Sequence, residues 1–283
     1  MRILFISDFT LEQRGGGAQV SNNILIEKGK ELGYEIKEHS HSSSITDFLT
    51  SYDLVINSNL EVITKISPEK IPFILKMPNS VRLEHDSCSY LDDDTRLKLF
   101  SNAKKNYFLS DFHLRFFNNL YGDYFKNVEI VYDPINTDIF KKAEGLEKFY
   151  DVVYCGYLHP LKGLNNLLNF ARSNPDRKVD IFGWSDVNTA NLFNNIPNIN
   201  FRGQHNHEKM ASIFQRCNAV FHSPVVNEPF CRMVAEALLC GVEEIIGNKS
   251  KIGAYLEFEK IGYDKFKDRC ESAASKFWET VVK

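Results

Sequence analysis

The chain has 283 residues, 43% apolar and 25% charged, with a formal net charge of −3. That composition excludes a disordered chain and supplies no overall basic field for sequence-blind binding to nucleic acid. No apolar run approaches the roughly 20 residues of a membrane span, and the first, at 3–6, is closed by Ser7 and Asp8, too short for a signal peptide. Cys88, Cys155, Cys217, Cys231, Cys240 and Cys270 include no C-x-x-C pair. Reduced thiols in the cytoplasm are therefore expected, rather than a zinc ribbon or a secreted disulfide scaffold.

The amino-terminal run 2–7 is expected to be a buried strand, followed by a loop with Gly15, Gly16 and Gly17 and a helix over about 18–32 that stops at Gly33. Runs at 35–38, 53–57, 73–77, 105–110 and 128–132 predict further strands separated by helix-length segments, with a flexible loop at 40–44. The same grammar restarts after the polar stretch 141–148. Strands are expected at 151–155, 178–182, 199–201, 219–222 and 243–246, and helices at about 164–172, 231–239 and 264–282. Alternating strands and helices predict parallel sheets covered on both faces, here as two Rossmann-like domains at 1–145 and 146–283.

In open parallel sheets the ligand lies beyond the carboxyl ends of the strands. Three features fall there. Gly15-Gly16-Gly17 precedes a helix, where absent side chains let backbone N–H groups approach an anion; a flexible turn is the alternative. Lys162, one residue before Gly163, offers a point charge to a diphosphate, or is a solvated surface lysine. Glu228 and Glu236 are eight residues apart across a helix start, a step that nearly returns to one helical face. Glu236 lies within the apolar stretch 233–239, where an unpaired buried carboxylate is costly, so a hydroxyl or cationic partner is expected. Asp92, Asp93 and Asp94 read as an acidic helix start, Ser110 as a helix cap, and His113 and His222 as structural.

Five blocks carry a resemblance: Gly-Gly-Gly-Ala-Gln at 15–19, the stretch 132–140, the loop 156–163, Asn-Phe-Arg-Gly at 200–203, and E-x7-E with its trailing Ala237 and Gly241. In this order the chain resembles the retaining nucleotide-sugar glycosyltransferases of the GT-B fold, in particular glycosyltransferase family 4. The resemblance implies an α/β GT-B architecture of two Rossmann-like domains facing across a cleft, the first binding the acceptor and the second the donor, with the last helix packing back on the first. It implies that Gly16 and Gly17 lie beside the donor diphosphate or reacting sugar and that Lys162 neutralises the leaving diphosphate. It further implies that Glu228 binds donor-sugar hydroxyls, that the backbone of Phe230 and Cys231 holds phosphate oxygens, that Glu236 binds the ribose, and that backbone at Arg202, Gly203 and Gln204 meets the base. His85, between Glu84 and Asp86, is placed near the reacting sugar, and His159 beside phosphate.

Relatives carry an arginine where this chain has Tyr157, and Arg232 or His159 is expected to supply that second cation. The implied activity is sugar transfer from a nucleoside diphosphate sugar to an acceptor hydroxyl with retention, needing neither metal nor other cofactor. Saccharide or lipid-linked acceptors come first. Hydroxylated bases in DNA, as for some phage enzymes, are an alternative resting on Lys98, Lys104, Lys105 and Arg115, although residues 1–140 hold more acidic than basic side chains. A degenerate nucleotide-sugar-binding subunit is the non-enzymatic alternative.

Overall fold

A computed structural model describes residues 1–87, 92–122, 125, 127–185, 191, 193 and 195–283. The chain divides into two compact units, Met1–Pro134 with Arg269–Lys283, and Ile135–Asp268. The division falls ahead of the boundary expected after residue 145. The segment from Ile135 is tied into the second unit, where Phe140 packs edge-on against His207 and Gln215 Nε2 donates to the Lys141 carbonyl.

In the first unit the elements run β1 (Arg2–Ser7), α1 (Gly17–Glu31), β2 (Glu35–His39), β3 (Leu54–Ser58), α2 (Glu61–Ile66), α3 (Ile71–Lys76), β4 (Ser80–Leu83), α4 (Asp93–Asn102), β5 (Asn106–Phe108), α5 (Asp111–Tyr121) and β6 (Val128–Ile130). They build one parallel sheet in the order β2-β1-β3-β4-β5-β6. β1 is an unbroken apolar run with Ile3, Leu4, Phe5 and Ile6 all inaccessible, the pattern of a strand buried on both faces. The last helix of the chain, α10 (Tyr263–Val281), begins in the second unit, and from Arg269 onward it belongs to the first. There Trp278 Nε1 donates to the Leu25 carbonyl at 2.8 Å and Phe277 packs on Tyr107. Gly29 of α1 gives the indole its room, since a Cβ there would lie 2.5 Å from the Trp278 ring.

The second unit runs β7 (Tyr150–Tyr157), α6 (Leu164–Ser173), β8 (Val179–Trp184), β9 (Ile199–Gly203), α7 (His207–Gln215), β10 (Cys217–Phe221), α8 (Arg232–Leu239), β11 (Glu244–Ile246) and α9 (Gly253–Ile261), with a parallel sheet ordered β11-β10-β7-β8-β9. On α6, Leu164, Leu167, Leu168 and Ala171 recur at three- and four-residue steps. That stripe packs on Val152, Tyr154, Val179, Ile181 and Phe221 of the sheet.

Two local expectations are corrected. The run 73–77 is not a strand: Pro72 opens a helical turn, and Ile71 and Ile74, three apart, turn inward. The strand that pairs beside β3 is β4, which carries a fully buried arginine. Arg82 donates to the Asn59 carbonyl and pairs with Glu84 at 2.7 Å. Against the cost of burial, Arg82 and Arg96 hold the Glu84 carboxyl below the usual carboxylate range. The loop 40–44 is pinned rather than loose. The Lys70 ammonium, itself buried, donates to the carbonyls of Ser40, His41 and Ser43 at 3.0, 2.6 and 2.8 Å.

Asp92 and Ser110 cap α4 and α5, accepting from the N–H groups of Thr95 and His113. Cys155, Cys217, Cys231, Cys240 and Cys270 are free thiols; Cys88 lies outside the described residues. Among the described residues no helix is long and apolar enough to cross a membrane.

Trp278→Ala is expected to lower stability by about 3–5 kcal/mol, the range for emptying a buried aromatic site, read by urea denaturation. His113 gives a pH signature. Burial among the rings of Phe108 and Phe117 pushes its imidazole down to about 4. The unfolded chain takes up that proton near 6.5, so it binds more protons than the native state between these values, and stability falls as the pH drops from 6.5 to 4. The expected loss from this residue is about 3 kcal/mol, checked by urea titrations across the window and an imidazole NMR titration of His113.

Candidate active site

From β7 the chain moves outward to β8 and β9, then returns to the other side of β7 as β10. The connections leaving β7 and β10 therefore diverge from adjacent strands, which opens a crevice at their carboxyl ends. The β7 connection makes a tight turn at Pro160–Lys162, ended by Gly163 at φ 88°. A Cβ at Gly163 would stand 2.0 Å from the Ser223 carbonyl oxygen, so only glycine lets the two connections lie backbone against backbone. The Val225 N–H donates to the Leu161 carbonyl, and Asn166 Nδ2 to that of Ser223, locking them together.

This brings Lys162 to Glu228, with Nζ to Oε1 at 2.7 Å. The lysine side chain is 45% exposed and the carboxylate 10%. The Glu228 backbone is fixed on both sides, its N–H donating to the Lys251 carbonyl and its carbonyl accepting from the Gly253 N–H. Burial alone raises a carboxyl pKa, but the Lys162 ammonium and the His222 ring outweigh it and hold Glu228 down at about 2. His222, just after β10, is expected from the sequence to be structural, and the structure sets it beside the carboxylate. It lies with Nε2 3.6 Å from Glu228 Oε1. Burial lowers the pKa of this imidazole, but the Cys231 sulfur and the Glu228 carboxylate overcome that and raise it to about 10. The sequence signal was its position on the strand end, next to the loop that carries Glu228.

α8 begins one residue later than its pattern suggests, at Arg232, with Cys231 as its cap at φ 72°. Its first turn has N–H groups without intrahelical acceptors, pointing along the positive end of the helix dipole. Phe230 is fully buried and stacks on Phe266. Glu236 has the cationic partner expected of it: Arg232 Nε donates to Oε1 at 2.8 Å, both side chains 8% exposed. The Cys155 thiol, beside Glu236 and Cys231, is pushed up to about 12 by burial and those neighbours.

Arg232 thus serves Glu236. His159 caps the turn through Nδ1, which accepts from the Leu161 N–H, and its ring stacks on Tyr157. Tyr157 in turn stacks on Trp184 with ring centres 3.9 Å apart, so the position at which the family resemblance leads one to expect an arginine holds a ring stacked against two others. Arg202 pairs with Asp180 at 2.6 Å, and Gly203 ends β9 with φ 74° ahead of Gln204, at the carboxyl rim of the same sheet. The structure thus collects Lys162, His222, Glu228 and Cys231 around one crevice and Arg232 with Glu236 on the helix beside it.

The other expected residues lie in the first unit. Gly16 caps α1; a Cβ there would meet only the movable amide end of Gln19, and one at Gly15 would meet nothing, so packing of the described chain does not require these glycines. Gly17 opens the helix. His85 is buried, with Nε2 3.1 Å from Asn22 Oδ1 and Nδ1 3.8 Å from Asp133; burial pulls its pKa below the ordinary value and keeps the ring neutral.

Residues 136–266 match the family described as Glycosyl transferases group 1. No curated protein sequence matches the chain. Among solved structures, HepE of Anabaena in complex with UDP-glucose is similar over 100% of this chain and 96% of its own, at 15% identity and a TM-score of 0.66. Sucrose-phosphate synthase of Thermosynechococcus elongatus is similar over 99% and 90%, at 15% identity and a TM-score of 0.72. An alpha-glucosyltransferase in complex with UDP and a 13-mer DNA containing an HMU base is similar over 100% of both chains, at 12% identity and a TM-score of 0.62. At such identities the likeness is one of fold, the GT-B fold.

Arg232→Ala leaves the buried Glu236 carboxylate without its cation. The expected destabilisation is about 3–5 kcal/mol by urea denaturation, with most of it recovered in Arg232→Met combined with Glu236→Leu.

Proposed function

We propose that this chain, whose residues 136–266 match the group 1 glycosyl transferases, is a glycosyltransferase that moves a sugar from a uridine diphosphate sugar to a saccharide hydroxyl with retention of configuration. The observation that carries this reading is the Lys162–Glu228 pair in the crevice between β7 and β10. A half-exposed ammonium held by a buried carboxylate, whose pKa is held down at about 2, is poised to change partners. When the donor enters, Lys162 turns to the diphosphate and Glu228 accepts hydrogen bonds from the sugar hydroxyls. The first-turn N–H groups of α8, after Phe230 and Cys231, take phosphate oxygens. Glu236, oriented by Arg232, accepts from the ribose hydroxyls, and the backbone of Arg202, Gly203 and Gln204 reads the base. UDP is the nucleotide bound in the HepE and DNA-complexed structures, which makes uridine donors the first choice.

In the reaction the bond between the anomeric carbon and the diphosphate oxygen breaks, and a bond from the acceptor oxygen to the same face of that carbon forms. The departing phosphate oxygen takes the acceptor proton. Lys162 and the helix terminus supply the positive field for the leaving group, so the reading calls for no metal. In the first unit, neutral His85 held by Asn22 positions a hydroxyl through a hydrogen bond, while Gly16 and Gly17 leave the backbone at the start of α1 open to a ligand. The free thiols fit a cytoplasmic setting.

A saccharide acceptor is preferred over DNA because two of the four basic side chains of the first unit's basic run are already engaged. Lys98 pairs with Asp94 one turn away, and Lys105 Nζ donates to the Thr280 carbonyl. The test is a screen of nucleotide sugars by thermal shift followed by turnover. One uridine donor is expected to raise the melting temperature above all others. Lys162→Ala and Glu228→Ala are each expected to lower kcat/KM about 10²- to 10³-fold with unchanged circular dichroism, and NMR of the product should show the anomer of the donor. No stabilisation by any nucleotide sugar overturns the donor assignment. Transfer to hydroxymethyluracil duplex that falls steeply with salt, without transfer to saccharides, replaces the acceptor assignment.

A further inference from the structure

His222, Glu228 and Cys231 come from three separate points: the end of β10, the connection beyond it and the cap of α8. Their donor atoms, one nitrogen, one oxygen and one sulfur, all lie within 4.8 Å of one another. His222 is 4% exposed, and among the described residues neither ring nitrogen meets a partner in hydrogen-bond geometry, although the Cys231 sulfur and the Glu228 carboxylate lie close by. A buried imidazole normally pairs at least one nitrogen, because leaving both unsatisfied forfeits the hydration it lost. Its nearest carboxylate oxygen, Glu228 Oε1 at 3.6 Å, is too far for a hydrogen bond. That separation is close to the roughly 3.4 Å between two ligands on a tetrahedral ion with bonds of about 2.0–2.1 Å.

We propose that His222, Glu228 and Cys231 form a three-ligand site for a zinc-class divalent ion, which shares Glu228 with the proposed donor site. A nitrogen, a thiolate and a carboxylate suit zinc or cobalt and disfavour magnesium and calcium, which take oxygen ligands. Cys231 is partly exposed and provides the approach from solvent. On binding, the His222 imidazolium and the Cys231 thiol each give one proton to water, the ion accepts an electron pair from each of the three donors, and a water molecule fills the fourth position. Lys162 leaves Glu228 as the ion arrives, which its half-exposed side chain does by turning into water. On the transfer reading above, ion and donor then compete for Glu228.

The test uses the full-length reduced protein and cobalt(II) alone, so its outcome stands whether or not sugar transfer is found. One equivalent of cobalt is expected to give the near-ultraviolet thiolate-to-cobalt band and the intense visible bands of a four-coordinate ion, both erased by zinc and unaffected by magnesium. Cys231→Ser is expected to remove the near-ultraviolet band, and His222→Gln to weaken cobalt binding at least tenfold. A second measurement needs no variant: zinc should slow alkylation of Cys231 by iodoacetamide at least tenfold in the wild-type chain, followed by peptide mass spectrometry. Absence of the cobalt bands, survival of the near-ultraviolet band in Cys231→Ser, or alkylation of Cys231 at the same rate with zinc each overturns the site.

Discussion

The second unit is organised around one buried negative charge. Glu228 stays ionised although it is shut away from water, and it does so because two connections from adjacent strands deliver Lys162 and His222 to it. Taking one partner away leaves an uncompensated charge, the costly half of any buried ion pair. The tight backbone contact at Gly163, the strand-like pairing of Glu228 with Ile252 and the left-handed cap at Cys231 all serve to hold that carboxylate in register. A glutamate fixed so firmly opposite a lysine left half free gives one rigid acceptor and one movable cation.

The first unit uses charge at its strand ends differently. Asp8, just after β1, accepts from the N–H groups of Glu61, Val62 and Ile63 at the start of α2. Arg82 in the middle of the sheet is matched by Glu84, and Lys70 gathers three carbonyls of one loop. These are internal ties that shape loops, whereas Lys162 faces solvent.

Much of this was legible because the strands of a two-faced parallel sheet are continuous apolar runs, and β1, β3 and β7 read that way directly. β4 hid behind Arg82, since a buried guanidinium looks like a surface residue until its partner two positions on is placed beside it. The neighbouring run 73–77 was apolar for a different reason, packing one turn of helix through Ile71 and Ile74. At the site, Glu236 in an apolar stretch announced a cationic partner, and Arg232 one turn earlier fits it. The proximity of His222 to Glu228 is a product of strand order, with β10 returning beside β7, and nothing in the spacing of residues 222 and 228 encodes it.

The first unit is assembled from two stretches of chain, with all of residues 135–268 between them. During synthesis the second unit is therefore complete before the segment bearing Phe277 and Trp278 exists. Until then α1 lacks the indole that covers Gly29 and bonds the Leu25 carbonyl. The unit begun earlier is the one finished later, and it carries an open apolar seam through the whole of the other unit's translation.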